Sequence, residues 1–290
     1  MSASLALATC AEYPGLSPDD RLLLPALERL GAAPAPVRWD DPARRWGGFD
    51  AVVVRSCWDY HHRLPDFLRW LDRLEREGAR VLNPLPTLRW NVTKSYLREL
   101  AAAGVSVTPT VWVPVGSTAT LGQVADEIGA EAVVVKPNVS ATAFETWRFD
   151  RARATDAEAQ FARLVRERDL MVQPFLPAIE TDGELSLVFL GGAFSHAVRK
   201  RPRPGDFRVQ EEHGGTAEAA AASADLVRQA ARALAVAPGD PLYARVDGLA
   251  SDGTLIVTEL ELVEPMLYFG WDAGAADRMA AALMRRVGAG

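Results

Sequence analysis

The chain of 290 residues is short of several things, and each shortage excludes something. Cysteine occurs twice, at Cys10 and Cys57, too few for a disulfide framework and outside any C-x-x-C motif. The four histidines, His61, His62, His196 and His213, show neither H-x-x-x-H nor Cys/His spacing, which argues against a zinc site. No G-x-S-x-G elbow, Walker A sequence or G-x-G-x-x-G fingerprint is present, so serine-hydrolase, P-loop and dinucleotide readings fall away. No apolar run approaches ~18 residues and the N-terminus lacks a cationic stretch, so neither a membrane span nor secretion is expected, and a cytoplasmic protein is. Basic residues number 32 against 38 acidic ones, a net charge of −6 without a basic run, and no nucleic-acid partner is expected.

Lysine is the scarcest charged residue. Of the 32 basic residues, 29 are arginine and only Lys94, Lys136 and Lys200 are lysine. In a chain that covers its surface with arginine, a retained lysine suggests a need for a compact, flexible point charge, with drift as the alternative. What the chain does contain, 49% hydrophobic and 24% charged residues, is ordinary for a globular enzyme, and its length suits two or three subdomains.

The hydrophobic patterning predicts an α/β protein. Strands are expected at Ser4–Thr9, Pro36–Trp39, Ala51–Arg55 and Arg80–Asn83, alternating with helices from Pro18 to Gly31 and from Pro65 to Glu77. The run Ala51–Arg55 (AVVVR) is continuous and β-branched, as in a strand buried on both faces of a parallel sheet. Beyond it the pattern predicts a helix over Asn91–Ala103 carrying Lys94, strands at Val111–Val113, Ala132–Lys136 and Leu170–Gln173, and helices at Leu121–Ile128 and Asp156–Arg168. Longer antiparallel strands follow at Glu184–Leu190, Ala193–Arg199, Leu242–Gly248 and Leu255–Leu262, with helices at Ala219–Leu234 and Ala275–Val287.

The most informative segment is the last hairpin. A three-residue turn at Ser251–Asp252–Gly253 sets Arg245 opposite Glu259, with Asp247 and Glu261 on the same face. Leu242, Ala244, Val246, Ile256, Leu260 and Leu262 then form the opposite, core-facing side. Three carboxylates this close repel unless a cation intervenes, and hard oxygen donors select Mg²⁺; a solvated outer face is the bland alternative. Lys136 ends a buried-type strand at a loop mouth, where it can meet a phosphate or reach water. Arg55, Ser56, Trp58, Asp59 and Tyr60 follow the Ala51–Arg55 strand at its C-terminal end, where open α/β sheets bind ligands, so a substrate loop competes with a plain connection.

In order, these pieces resemble the ATP-grasp ligases: Asn91-Val92-Thr93-Lys94, then Val-Val-Lys136-Pro, then Gln173-Pro174-Phe175-Leu176, then Asp182-Gly183-Glu184, and finally Arg245-Val246-Asp247 with Glu259-Leu260-Glu261. The resemblance implies an N-terminal parallel α/β domain over residues 1–90 on the substrate side, a central lid subdomain over 91–174 and a C-terminal metal and phosphate subdomain over 175–290. It implies that Lys94 and Lys136 contact ATP, that Gln173, Phe175 and Leu176 form the adenine hinge, and that Glu184 holds the ribose. Asp247, Glu259 and Glu261 would bind two Mg²⁺ ions, the last where the family usually has Asn. Arg208, Lys200 and Arg245 would steady the transferring phosphoryl group.

One departure is plain: the loop Asn138–Arg148, glycine-rich in the family, contains no glycine, leaving Ser140 and Thr142 as its candidate phosphate contacts. Residues 55–60, Asn83-Pro84, Trp90-Asn91-x-x-Lys94-x-Tyr96-Leu97 and Glu259-Leu260-Glu261-x-x-Glu264-Pro265 narrow the resemblance to enzymes related to O-ureido-D-serine cyclo-ligase. That implies an amino-acid-like substrate, a carboxylate activated by ATP and an internal nitrogen closing a ring. An intermolecular amino-acid or peptide ligase and a nucleotide-binding protein without ligase activity are the alternatives. A homodimer is compatible with the chain, which carries no interface signal.

Overall fold

The computed structural model describes residues 2–288. Three sheets succeed one another along the chain. The first is parallel, with strands β1 (Ala3–Thr9), β2 (Ala32–Arg38), β3 (Ala51–Ser56) and β4 (Val81–Leu82) in the order β2-β1-β3-β4. Each residue of β3 is buried because both faces are covered. Leu5, Leu7 and Val53 pack toward the helices Leu23–Arg29 and Ala275–Gly288, while Ala6, Ala8, Val52 and Val54 pack toward the helix Leu64–Arg76 and the tryptophans Trp39, Trp46 and Trp70. This is the physical reason for an unbroken apolar run in place of alternation. The outer strand β2 begins at Ala32, earlier than the pattern suggested, and runs through Pro34 and Pro36.

The second sheet is antiparallel: β5 (Val111–Val113), β6 (Ala132–Pro137), β7 (Trp147–Asp150) and β8 (Leu170–Pro174) in the order β5-β8-β6-β7. The helix Leu121–Ile128 lies on it with the helix Ala154–Glu167. A capping box between Thr120 and Gln123 starts the former, and Gly129 in the left-handed region ends it. Edge strand β7, unforeseen in the patterning, follows the glycine-free loop.

The third sheet has the order β11-β10-β9-β12-β13, from β9 (Glu184–Leu190), β10 (Ala193–Arg201), β11 (Thr216–Ala220), β12 (Tyr243–Ser251) and β13 (Thr254–Glu261). The alanine-rich stretch expected to open a helix at Ala219 instead extends as β11 along β10. The helix begins only at Ala224, where the Ser223 side chain caps it. Alanine's helix preference of a few tenths of a kcal/mol per residue yields here to a row of sheet hydrogen bonds.

One face of this sheet packs on the helix Ala224–Leu234 through Leu185, Leu187, Phe189, Ala244 and Val246. The opposite face changes character along its strands. Val188, Leu190, Val198 and Tyr243 join the core shared with the first sheet and the C-terminal helix. Farther along the same strands stand Glu184, Ser186, Lys200, Arg245 and Asp247, all buried. That polar half meets the second sheet. No helix among the described residues is long and apolar enough to cross a membrane.

Two expectations about local structure are corrected. The helix foreseen over Asn91–Ala103 is two helices, Leu85–Asn91 and Tyr96–Ala102, with Lys94 in the turn between them. The Lys94 N–H donates to the Asn138 carbonyl at 2.9 Å, a partner outside any helix, and the helical ladder stops there. The hairpin register also differs. The turn has two residues, Asp252 and Gly253, both with positive φ, and pairs Ser251 with Thr254. A bulge between Asp247 and Gly248 then places Asp247 opposite Glu259 and Arg245 opposite Glu261. A Cβ on Gly248 would lie 2.7 Å from the Ile256 carbonyl oxygen, so the bulge requires glycine there. Past the bulge Leu255 and Val257 take the core positions, and Ile256, expected in the core, is only half-buried.

Candidate active site

A cavity lies between the polar half of the third sheet, the second sheet and the loop after β3. Cross-strand register builds its floor. Lys200 pairs with Glu184, Ser186 with Asp247, Asp247 with Glu259, and Arg245 with Glu261, so alternate residues of four strands present one continuous ionic surface. The three carboxylates expected on one face are indeed on one face.

Each is engaged by a cation. Arg245 bonds both oxygens of Asp247, its Nη2 lying 2.9 Å from Oδ2, and reaches Glu261 Oε1 at 2.5 Å. Lys200 Nζ lies 3.0 Å from Asp247 and 2.7 Å from Glu184, and the Ser186 hydroxyl donates to Asp247 at 2.7 Å. Lys94 Nζ pairs with Glu259 and donates to the Ser140 carbonyl at 3.0 Å. Gly183 lets the turn before β9 approach this row, since a Cβ there would stand 2.4 Å from the Lys200 carbonyl oxygen and its φ is +74°.

The charges fall unevenly. Burial would raise the Asp247 carboxyl, but Arg245 and Lys200 outweigh it and hold it below the usual carboxylate range. Burial likewise opposes ionisation of Glu259, and Lys94 and Lys136 reverse that. For Glu261 burial wins, joined by repulsion from Glu259 and Asp247, and its carboxyl is pushed up to about 7. Burial, then Glu261 and Glu259, raise Glu264 well above its ordinary value. Lys136 is depressed by burial and by Lys94. No three acidic or histidine side chains among the described residues converge on one point, because each carboxylate of the trio is turned onto a cation. The donor set still fits Mg²⁺, since all its ligating atoms are oxygens, the donors a hard divalent cation prefers.

The second sheet supplies the opposite wall. Lys136, at the end of β6, has no ion-pair or hydrogen-bond partner among the described residues and lines the cavity. Gln173 is buried and donates to the Thr110 hydroxyl at 2.8 Å. Phe175 is covered by the Arg148 guanidinium, 3.7 Å from its ring centre, and Leu176 lies beside it on the cavity wall. Glu184 accepts from the Thr258 hydroxyl at 2.6 Å.

The glycine-free loop reaches its shape by placing Thr142, Ala143 and Glu145 in the left-handed region, at φ of 50°, 54° and 47°. Such residues cost of order 1 kcal/mol or more each and persist only where surroundings hold them. Here Lys94 holds the loop from one side. Phe144 rests on His61 and His62, and His213 Nε2 donates to the Thr142 carbonyl at 3.1 Å. Ser140 and Thr142 both line the cavity. Arg208 also lines it, but its guanidinium is held by both oxygens of Asp206, at 3.1 and 2.8 Å.

The segment after β3 divides. Trp58 and Tyr60 line the cavity, whereas Arg55, Ser56 and Asp59, expected as substrate contacts, do not. Arg55 is fully buried, paired with Asp20 at 2.8 Å, and donates to the Pro265 carbonyl at 2.6 Å. Ser56 donates to the other oxygen of Asp20 at 2.7 Å, and Asp59 accepts the Trp39 indole N–H at 2.8 Å. These polar groups brace the sheet from within. Reasoning from sequence assigned no role to Glu264, Met266, Tyr268 or Phe207, which also line the cavity. For Glu264 the signal was present in Glu-Leu-Glu-x-x-Glu-Pro, an acid three residues beyond the pair.

The family model described as the N-terminal domain of D-cycloserine synthetase DcsG matches residues 5–83. The cycloserine biosynthesis protein DcsG of Streptomyces lavendulae is 34% identical over 296 residues, covering 98% of this chain and 98% of the relative. The crystal structure of D-cycloserine synthetase DcsG superimposes with a TM-score of 0.89 at 33% identity, over 98% of this chain and 100% of that one. A RimK domain ATP-grasp protein from Sphaerobacter thermophilus DSM 20745 shares the fold at a TM-score of 0.70 and 19% identity, over 97% of this chain and 100% of that one.

Proposed function

Because the chain belongs to the D-cycloserine synthetase family of ATP-grasp ligases, we propose that it closes the ring of O-ureido-D-serine to give D-cycloserine, with ATP converted to ADP and phosphate. The observation that carries the substrate is the match over 98% of both chains, because it includes the first sheet and the loop after β3, whose Trp58 and Tyr60 line the cavity.

The residues divide the work by chemistry. Gln173, Phe175 and Leu176 form the apolar and hydrogen-bonding hinge for adenine, with Glu184 beside the ribose. Lys136, uncommitted in the cavity, and Lys94, buried on its wall, present point charges to the phosphates. Ser140, Thr142 and the loop backbone close over them. Asp247, Glu259 and Glu261 hold Mg²⁺, two ions in our reading, and when bound the metal neutralises the phosphate oxygens. Lys200, Arg208 and Arg245 surround the phosphoryl group as it passes to the substrate carboxylate, ADP departing. The ureido nitrogen next to oxygen then attacks the acyl carbon, phosphate leaves and the nitrogen gives up its proton. Water then adds to the carbamoyl carbon, the bond from that carbon to the ring nitrogen breaks with a proton returning to the nitrogen, and carbamic acid leaves to fall apart into carbon dioxide and ammonia. No cysteine or histidine lines the cavity among the described residues, in keeping with activation by phosphorylation and not by a protein nucleophile.

The test is ADP release from Mg-ATP with the D and L forms of O-ureidoserine, with mass analysis of the product. ADP together with the cyclic product from the D form is expected. ADP release with other amino acids but not with either form would remove ring closure and leave a ligase of different specificity.

A further inference from the structure

Charges facing the cavity are almost all matched in pairs, as described above for Lys94, Lys200 and Arg245 with their carboxylates. Glu264 is the exception on the acidic side. Its carboxylate has no hydrogen-bond donor and no ion-pair partner among the described residues, and it is half-buried where Glu211 and Glu212, also unpaired, are exposed. Its position is fixed by its backbone. The Glu264 carbonyl accepts the Trp58 indole N–H at 3.0 Å, and the next carbonyl, that of Pro265, accepts from Arg55. Both donors belong to the first sheet and the loop after it, so Glu264 stands at the end of the cavity walled by Trp58 and Tyr60. Strand β13 ends at Glu261, which separates Glu264 from the row of carboxylates that shares the sheet register.

A carboxyl group partly withdrawn from water and without a partner gains from an incoming cation, and aromatic rings beside it favour one. Lysine is not available for this, because Lys94 is committed to Glu259 and the Ser140 carbonyl. Lys136 is the unmatched basic group of the cavity and Glu264 its unmatched half-buried carboxyl group. The first suits a phosphate; the second suits a positively charged group on the other substrate.

We propose that the Glu264 carboxylate receives the α-ammonium group of the amino-acid substrate, with Trp58 and Tyr60 as the walls of that subsite, and so makes the enzyme select amino acids over their des-amino analogues. The inference rests on the function proposed above and names the group that reads the substrate's positive charge.

The test compares wild type, Glu264→Gln and Glu264→Asp on O-ureido-D-serine and on 3-(ureidooxy)propanoate, which lacks the ammonium group, by ADP release and product mass. Wild type is expected to favour the amino-acid form in kcat/KM by at least about thirtyfold, in the range for one buried charge-assisted contact. In Glu264→Gln the KM for O-ureido-D-serine rises at least about tenfold, the KM for ATP is unchanged and the preference over the des-amino analogue collapses to within about threefold. Glu264→Asp, which keeps the charge, retains most of the preference. An unchanged KM and preference in Glu264→Gln overturns the proposal. So does a fall in kcat at unchanged KM, which would make Glu264 a proton acceptor, and so does a shift in Mg²⁺ dependence alone, which would make it a metal ligand. Those three outcomes leave ring closure standing, whereas a wild type silent on both forms of O-ureidoserine removes the function reading and this inference with it.

Discussion

Asp247 stands directly across from Glu259 in the β12–β13 hairpin, and it does so because the bulge at Gly248 leaves Thr258 out of the regular pairing. Deleting Thr258 removes the extra residue and makes the ladder regular: Val257 already pairs with Gly248, so Glu259 stays opposite Asp247 and Glu261 opposite Arg245. What is lost is the hydrogen bond from the Thr258 hydroxyl to Glu184, worth about 1.5–3 kcal/mol to a charged acceptor. The shortened chain is expected to keep a cooperative urea transition and its near-ultraviolet circular dichroism, with stability lowered by about that amount. Loss of both signals would show that the bulge itself is required to shape β13.

Lys136 and Lys200 are expected to part company when each is changed to alanine. Removing Lys200 leaves the buried Glu184 without an ion-pair partner and Asp247 with Arg245 alone, and is expected to destabilise the fold by about 3–5 kcal/mol. Lys136 has no such partner, so Lys136→Ala is expected to leave the urea midpoint within about 1 kcal/mol of wild type while abolishing ADP release. Equal loss of stability in the two variants would contradict the pairing described here.

Asn83 joins three segments. Its Oδ1 accepts from the Leu242 and Tyr243 N–H groups at 2.6 and 3.1 Å, and its Nδ2 donates to the Tyr243 and Leu262 carbonyls at 2.8 and 2.7 Å. Asn83→Ala leaves four buried backbone groups without a partner, and a loss of about 3 kcal/mol or more is expected in urea unfolding. A change under about 1 kcal/mol would mean that water replaces the amide.

Stability is expected to carry the signature of Asp19. Burial, then the neighbouring Asp20, push its carboxyl up to about 6 from an ordinary 3.8. Below the lower value both folded and unfolded chains hold the proton and nothing is lost. Between the two the folded chain binds more protons, so stability falls as pH rises, and above about 6 the full penalty applies, of order 3 kcal/mol. Asp19→Asn does not titrate. It is expected to be more stable than wild type at pH 7, by about 1–3 kcal/mol, with the advantage gone at pH 4. A constant difference between the two pH values would refute the assignment.

The acidic face illustrates what could be read from sequence and what could not. The expected register was wrong twice, once by a residue at the turn and once by a residue at the bulge. Two single shifts add to one full pleat, so the side of the sheet came out right although each partner was misassigned. The helix Leu121–Ile128 and strand Glu184–Leu190 were legible to their ends, because their signals are local: a capping box and glycine for one, a glycine turn for the other. Lys94 was misplaced in a helix because the group that interrupts it, the Asn138 carbonyl, lies 44 positions away. Arg55 and Ser56 had the look of ligand groups for a similar reason, since their partner Asp20 sits 35 and 36 positions upstream. Edge strands β7 and β11 have no pattern of their own and exist because β6 and β10 offer them hydrogen bonds.

The first sheet ends in a strand that cannot recruit another. The Trp39 N–H turns inward to the Thr9 carbonyl, so by alternation the odd-numbered amides of β2 face β1 and the even-numbered positions face outward. At two of those outward positions, 34 and 36, the residue is proline and there is no amide hydrogen to offer. An incoming strand would find acceptors there without the matching donors. Growth of the sheet in that direction, whether by a second copy of the chain or by a misfolded neighbour, is blocked by composition, and self-association of this protein has to begin on some other surface.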